Sequence, residues 1–235
     1  MLGDALAPAA ELVLLRGFAE PVATSETVRE LIRSGAYDGA VVLGGPMGVD
    51  ERRSYPYLDD TLRLLEDALD RGTPILGLCL GSQLLAHVLG SPVFAGSERG
   101  LAREVGFFPL IPAPGGADDP IISLYAPPDP VLLWHRDMND LPSGTTLLAS
   151  SDRYPVEAYR LTHRVYGLQF HPEVSPDLLV VWVDQNQAML AAEGLDGPGL
   201  LARARELDPV IRRRGAGLGR VVLGWAEAFR RERLE

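Results

Sequence analysis

Cys79 stands in Ile75-Leu76-Gly77-Leu78-Cys79-Leu80-Gly81-Ser82-Gln83-Leu84-Leu85, a strand-like apolar run that breaks at Gly-x-Cys-x-Gly and resumes as a helix. This is the pattern of a nucleophile elbow with sulfur in place of oxygen. A nucleophile on so sharp a turn needs glycines beside it, because a Cβ at either neighbour would meet backbone. The helix N-terminus favours the thiolate, the form that attacks, since its unpaired N–H groups and dipole stabilise negative charge. Taken alone, a free cysteine reads more readily as a small buried hydrophobe. The rest of the chain changes that reading.

A thiol nucleophile needs a base, and Val165-Tyr166-Gly167-Leu168-Gln169-Phe170-His171-Pro172-Glu173-Val174 supplies one. Its aromatic and β-branched residues predict a buried strand ending near His171. Residues two apart in extended chain project to the same side, so His171 and Glu173 can face a common neighbour. Glu173 would then fix the tautomer of His171 while His171 exchanges a proton with Cys79, the division of labour of a Cys-His-acid triad. A third segment, Ala40-Val41-Val42-Leu43-Gly44-Gly45-Pro46-Met47-Gly48, runs from a strand into a glycine pair whose bare backbone can approach a ligand. Attack on a carbonyl creates an oxyanion, and the N–H groups of Leu80 and Gly45 are the candidate donors for it. Without Cys79, the glycine pair would read as an ordinary strand-to-loop turn.

In this order the three segments resemble the class I (triad) glutamine amidotransferases, in particular standalone proteins similar to the amidotransferase domain of GMP synthase. The matching stretches are Gly44-Gly45-Pro46-Met47-Gly48, Gly77-Leu78-Cys79-Leu80-Gly81-Ser82-Gln83 and Gly167-Leu168-Gln169-Phe170-His171-Pro172-Glu173-Val174. Weaker ones are Glu104-Val105-Gly106, Trp134-His135-Arg136-Asp137 and Leu148-Ala149-Ser150-Ser151. The likeness runs from Leu12 to about Gly194. It implies a glutaminase half-reaction in which Cys79 attacks the side-chain amide of glutamine, His171 protonates the departing ammonia, and water hydrolyses the thioester. The family's glutamine-binding positions fall on Gly45 and Gln83, with Leu80 sharing the oxyanion hole. His135, in a segment similar to a substrate-side loop, is a further candidate pocket residue. No metal and no cofactor is implied. Two other readings stand beside this one: a γ-glutamyl peptide hydrolase using the same Cys79-His171-Glu173 set, and a non-catalytic binding module that keeps the fold.

Composition narrows the scope. All 22 basic residues are arginine, and the chain has no lysine. A lysine-bearing phosphate loop, a pyridoxal Schiff base and a lysine nucleophile are therefore excluded. An ATP-dependent synthetase step that accepts the ammonia would lie on a separate subunit. The formal net charge of −10 argues against nucleic acid as a partner, which requires a basic footprint. One cysteine makes no internal disulfide, and neither a leader nor a long apolar span is evident, so the expected location is cytoplasmic, away from the membrane.

The elements that must position these residues follow from periodicity. Apolar runs at Leu12-Val13-Leu14-Leu15, Ala40-Val41-Val42-Leu43 and Pro74-Ile75-Leu76-Gly77 alternate with helical stretches from Ser25 to Ser34 and from Tyr57 to Arg71. This predicts an α/β fold with a mostly parallel central sheet and helices on both faces, flavodoxin-like, with ligands collecting beyond the strands' carboxyl ends. The resemblance adds that the family's first βα unit is missing ahead of Leu12: either the true start lies further upstream, or the sheet has one strand fewer and an exposed edge that another chain could cover. The segment from Val93 to Ser151 is expected to hold short strands and loops. A hairpin is predicted around Thr162-His163-Arg164, then a helix opened by Ser175-Pro176-Asp177 and closed near Gly194. Residues 1–193 would form the amidotransferase domain. Residues 194–235 would form a C-terminal helical extension with amphipathic segments at Leu200 to Leu207 and Gly219 to Arg233, packed on the domain with a solvated charged face. His87 is expected on a helix surface or in the core, and His163 in solvent.

Overall fold

A computed structural model describes residues 2–7, 9–15, 30 and 33–235. Its elements run in chain order from helix α1 (Leu2–Leu6) and strand β1 (Ala40–Val42) to helix α2 (Tyr57–Asp70), strand β2 (Ile75–Leu78) and helix α3 (Leu80–Val88). Strands β3 (Val93–Ala95), β4 (Glu104–Phe108), β5 (Ile111–Pro112), β6 (Val131–His135), β7 (Asp137–Asn139) and β8 (Thr146–Ser150) occupy the middle of the chain. The hairpin of β9 (Ala158–Thr162) and β10 (Val165–Leu168) leads into helices α4 (Pro176–Gln185), α5 (Gln187–Ala192) and α6 (Gly197–Glu232).

The central sheet has the order β1-β2-β10-β9-β8-β5. Its parallel part is β1, β2 and β10, with Ile75 in register with Ala40 on one side and Val165 on the other. The remaining pairings are antiparallel, so the sheet is mixed, as the β9–β10 hairpin requires. Every residue of β2 is buried, which is what an apolar run covered on both faces should give. Alternation then divides it: Leu76 and Leu78 join Tyr166, Leu168, Leu218 and Trp225 on one face, while Ile75 and Val165 pack with α2 and α3 on the other. Helix α2 turns Leu58, Leu62, Leu65 and Ala68 inward at helical spacing, with Asp59 and Asp60 suited to its first turn.

Two expectations differ from what is observed, and a third falls largely where the structure describes no residues. Leu12-Val13-Leu14-Leu15 forms no strand, and its residues are 43–67% exposed, so β1 is the edge of the described sheet. An unbroken apolar run states no face and becomes a strand only where a neighbour pairs with it. The helix predicted from Ser25 to Ser34 lies largely outside the described residues. The helix opened by Ser175 has its expected cap, the hydroxyl accepting from the Leu178 N–H at 3.2 Å, but it divides at Asn186 into α4 and α5. There the Asn186 side-chain amide donates to the Trp182 carbonyl, a local bond that competes with helix continuation.

The C-terminal segments are one helix of 36 residues that passes through Pro209. A proline removes one helical hydrogen bond, and tertiary packing outweighs that loss here, with Ala204, Leu207, Leu218, Trp225 and Phe229 all buried. Arg214 is buried too, donating through Nε to the Leu124 carbonyl and through its two terminal nitrogens to the carbonyls of Pro130 and Asp129, at 2.8–2.9 Å. Arg214→Met is expected to strand these acceptors and to destabilise the fold by about 2–4 kcal/mol. Chemical denaturation would read this as a lower midpoint with an unchanged slope.

Candidate active site

The turn between β2 and α3 places Cys79 at φ 50°, ψ −109°, and Cys79 is the one non-glycine among the described residues with positive φ. Such backbone costs about 1–3 kcal/mol and persists only where its surroundings over-determine it. They do so here. The Cys79 N–H donates to the Leu168 carbonyl of β10 at 2.8 Å, and its own carbonyl accepts from the Gln83 N–H at 3.1 Å. A Cβ on Gly77 would lie 2.5 Å from the Gly81 carbonyl oxygen, and one on Gly81 would lie 2.1 Å from the Val42 carbonyl oxygen. The two glycines thus allow β1, β2 and the first turn of α3 to converge behind the thiol.

His171 follows β10, with its N–H bonded to the Leu132 carbonyl of β6 at 2.9 Å. Its Nδ1 lies 2.8 Å from Glu173 Oε1, and the Trp182 ring of α4 meets the imidazole at a centroid distance of 4.8 Å, near-perpendicular. With Nδ1 engaged, Nε2 is the nitrogen left for a proton partner. A Cβ on Gly44 would fall 3.2 Å from His171 Cε1 and 3.8 Å from Cys79 Sγ, so the imidazole and the thiol flank one point. Burial presses His171 toward its neutral form, but the charges of Glu173 and Cys79 outweigh burial and hold its pKa well above the ordinary value.

Gly45 lies over the start of α3, where a Cβ would be 3.2 Å from Leu80 Cδ2. As the first residue of α3, Leu80 has an N–H with no intrahelical partner. Gln83, one turn on, is 3% exposed, and its Nε2 donates to the Asp137 carbonyl and to Gln169 Oε1, both at 3.0 Å. Gln169 Nε2 in turn donates to Cys79 Sγ at 3.5 Å. Sequence reasoning gave Gln169 no role, although the alternation that pairs His171 with Glu173 extends back to it. His87 is half-buried near the end of α3, and His163 is exposed in the β9–β10 turn.

His135 is 5% exposed and sits between two buried glutamates, with Nε2 at 3.5 Å from Glu104 Oε2 and 3.3 Å from Glu157 Oε1. The Ser151 hydroxyl lies 3.0 Å from both Glu104 oxygens. One ligand atom from each of Glu104, His135 and Glu157 lies within 4.8 Å of the others, the composition of a metal site. A proton on the imidazole supplies a cation at the same place. Burial opposes that proton, but Glu157 and Glu104 outweigh burial and raise the His135 pKa from 6.5 to about 10, while burial raises that of Glu157.

Both shifts mean that the folded state binds protons more tightly than the unfolded chain, so stability falls as pH rises. For His135 the contribution is full below about 6.5 and is lost as pH climbs through about 10. His135→Gln is expected to flatten the decline in unfolding free energy across that range, as measured by denaturant titrations at several pH values.

Comparison with known proteins gives the same direction. The family model for class-I glutamine amidotransferases matches residues 18–179. A glutamine amidotransferase-like protein of Salmonella typhimurium is 32% identical over 158 residues, 66% of this chain and 64% of that protein. One subunit of the glutamine-hydrolysing GMP synthase of Halobacterium salinarum is 39% identical over 140 residues, 59% of this chain and 67% of that subunit. The chain thus spans about two thirds of the length of these curated relatives. A solved glutamine amidotransferase from Thermotoga maritima superposes with a TM-score of 0.68 at 32% identity, over 77% of each chain. Another from Methylobacillus flagellatus shares the fold at 23% identity with a TM-score of 0.74, covering 97% of this chain and 88% of its own. With its matched region and its mixed sheet between helical layers, the chain belongs to the class-I glutamine amidotransferase family.

Proposed function

We propose that the protein hydrolyses the side-chain amide of glutamine through a thioester on Cys79. The carrying observation is the thiol and imidazole flanking Gly44, with Glu173 2.8 Å behind the imidazole. The Cys79 thiolate adds to the amide carbon, forming the C–S bond and placing negative charge on the carbonyl oxygen. The N–H groups of Leu80 and Gly45 receive that charge. The tetrahedral adduct collapses with cleavage of the C–N bond, and the nitrogen takes the His171 proton and leaves as ammonia. His171, now neutral, removes a proton from water as the water attacks the thioester, releasing glutamate and restoring thiolate and imidazolium. Glu173 holds the ring and offsets its charge throughout. Gln83 is assigned to the glutamine pocket, whereas His135, enclosed by glutamates, supports the site from behind.

The ammonia would pass to a synthetase on a separate subunit. The relative named as a GMP synthase subunit supports this. Residues 194–235 are proposed as an extension of the catalytic domain. No described helix is long and apolar enough to cross a membrane, and a free thiolate nucleophile suits the reducing cytoplasm.

A glutamine-analogue electrophile should trap the enzyme as an adduct mapping to Cys79, and glutamine should yield ammonia. Faster turnover of γ-glutamyl dipeptides than of glutamine would replace this reading with that of a γ-glutamyl peptide hydrolase. An adduct at any other residue would remove it.

A further inference from the structure

We propose that Gln169 is a positioning residue of the nucleophile, its side-chain amide donating to the Cys79 sulfur and holding it in place as the attacking anion. The inference rests on Cys79 being the nucleophile of the proposed reaction, and it adds a residue outside the triad and the oxyanion hole.

The direction of the amide follows from a chain of bonds anchored on backbone. The Asp137 carbonyl can only accept, so the Gln83 atom 3.0 Å from it is the amide nitrogen. The same nitrogen lies 3.0 Å from the Gln169 side chain, which must therefore present its oxygen there. The opposite end of Gln169, the NH₂, is then the group 3.5 Å from Sγ. Flipping Gln169 would set NH₂ against NH₂ at the Gln83 end. The carbonyl at the head of the chain is itself fixed, because Asp137 pairs with Ala95 in the β3–β7 ladder. Gln169 is anchored at its backbone as well, its N–H donating to the Glu157 carbonyl at 2.8 Å. With both glutamines buried at 2–3% exposure, that side of the sulfur is packed by protein.

A donor fixed on sulfur favours the charged form of the thiol over the neutral one. It also stabilises sulfur as the leaving group when the thioester is hydrolysed, so the benefit falls on both half-reactions. The ionisable groups facing this sulfur are His171, backed by Glu173, and His135, backed by Glu104 and Glu157. None of them is altered by substituting Gln169, so a change in thiol behaviour would report the amide itself.

The test is the pH dependence of Cys79 alkylation by iodoacetamide, a small neutral probe that needs no glutamine pocket. Gln169→Met is expected to move the inflection upward and to slow alkylation on the acid side about tenfold. Gln169→Glu, which brings a carboxylate to the sulfur, should move it further. Gln83→Met keeps the Gln169 side chain but frees its amide to turn, and should give a smaller shift in the same direction. A purely structural role would lower the melting temperature and leave the profile unmoved. If the Gln169 variants fold and alkylate with the wild-type profile, the proposal is overturned; if they do not fold, an unmoved profile in Gln83→Met overturns it equally. Absence of ammonia release from glutamine would sink the proposed reaction instead, and would leave these profiles unaffected.

Discussion

Cys79→Ala is expected to lower glutamine turnover by at least about 10³-fold while leaving the melting temperature close to that of the parent protein. The thiol is small and buried, and alanine removes one atom from a site whose backbone is held by main-chain bonds to Leu168 and Gln83. Alanine must still adopt φ 50°, a strain that the cysteine already carries, so the stability change should be small. His171→Ala should fall to a similar level, because a nucleophile and base acting as a unit fail together. Glu173→Gln should retain a small rate, since an amide oxygen still accepts from Nδ1 but brings no charge to the imidazolium. Steady-state ammonia release alongside thermal melts separates these effects. Near-normal turnover by Cys79→Ala would end the assignment.

A large effect on stability is expected at Gly81. An alanine Cβ there would sit 2.1 Å from the Val42 carbonyl oxygen, a backbone atom of β1 that cannot swing aside. Relief requires α3 to withdraw from β1, opening the packing of Leu84 and Leu85, both buried. A cost of about 4 kcal/mol or more is expected, a large fraction of the stability of an ordinary domain. Gly81→Ala should therefore appear mostly in the insoluble fraction, or melt far below the parent if it folds. Gly72→Ala makes a useful comparison: nothing lies within 4 Å of the added Cβ, and only the positive φ of 67° opposes it. Its loss should be about 1 kcal/mol.

What could be read from the chain beforehand was local. Cys79 with its glycines, and His171 with Glu173, each lie within a few residues of one another, so a motif describes them. The strand assignments of β1, β2 and the β9–β10 hairpin likewise follow from short apolar runs bounded by turns. The Glu104–His135–Glu157 cluster did not show itself, because its members come from separate parts of the chain and only the pairing of Glu104 with His135 in the β4–β6 ladder begins to unite them. Leu12 to Leu15 misled because hydrophobicity alone specifies neither a partner strand nor a face. The two amphipathic segments of the C-terminus read as separate because local propensity says nothing of the buried contacts that carry α6 through Pro209.

The stacking of Trp225 on Tyr166, with centroids 4.9 Å apart and planes 16° from parallel, ties α6 to the strand that delivers His171. The indole comes from a position far downstream of the phenol it covers. During synthesis, then, Cys79 and His171 have both left the ribosome while one face of the strand that leads to His171 is still bare. If the proposed reaction holds, competence should arrive only when residue 225 clears the exit tunnel, so a nascent chain stalled before that point would carry Cys79, His171 and Glu173 and yet stay silent.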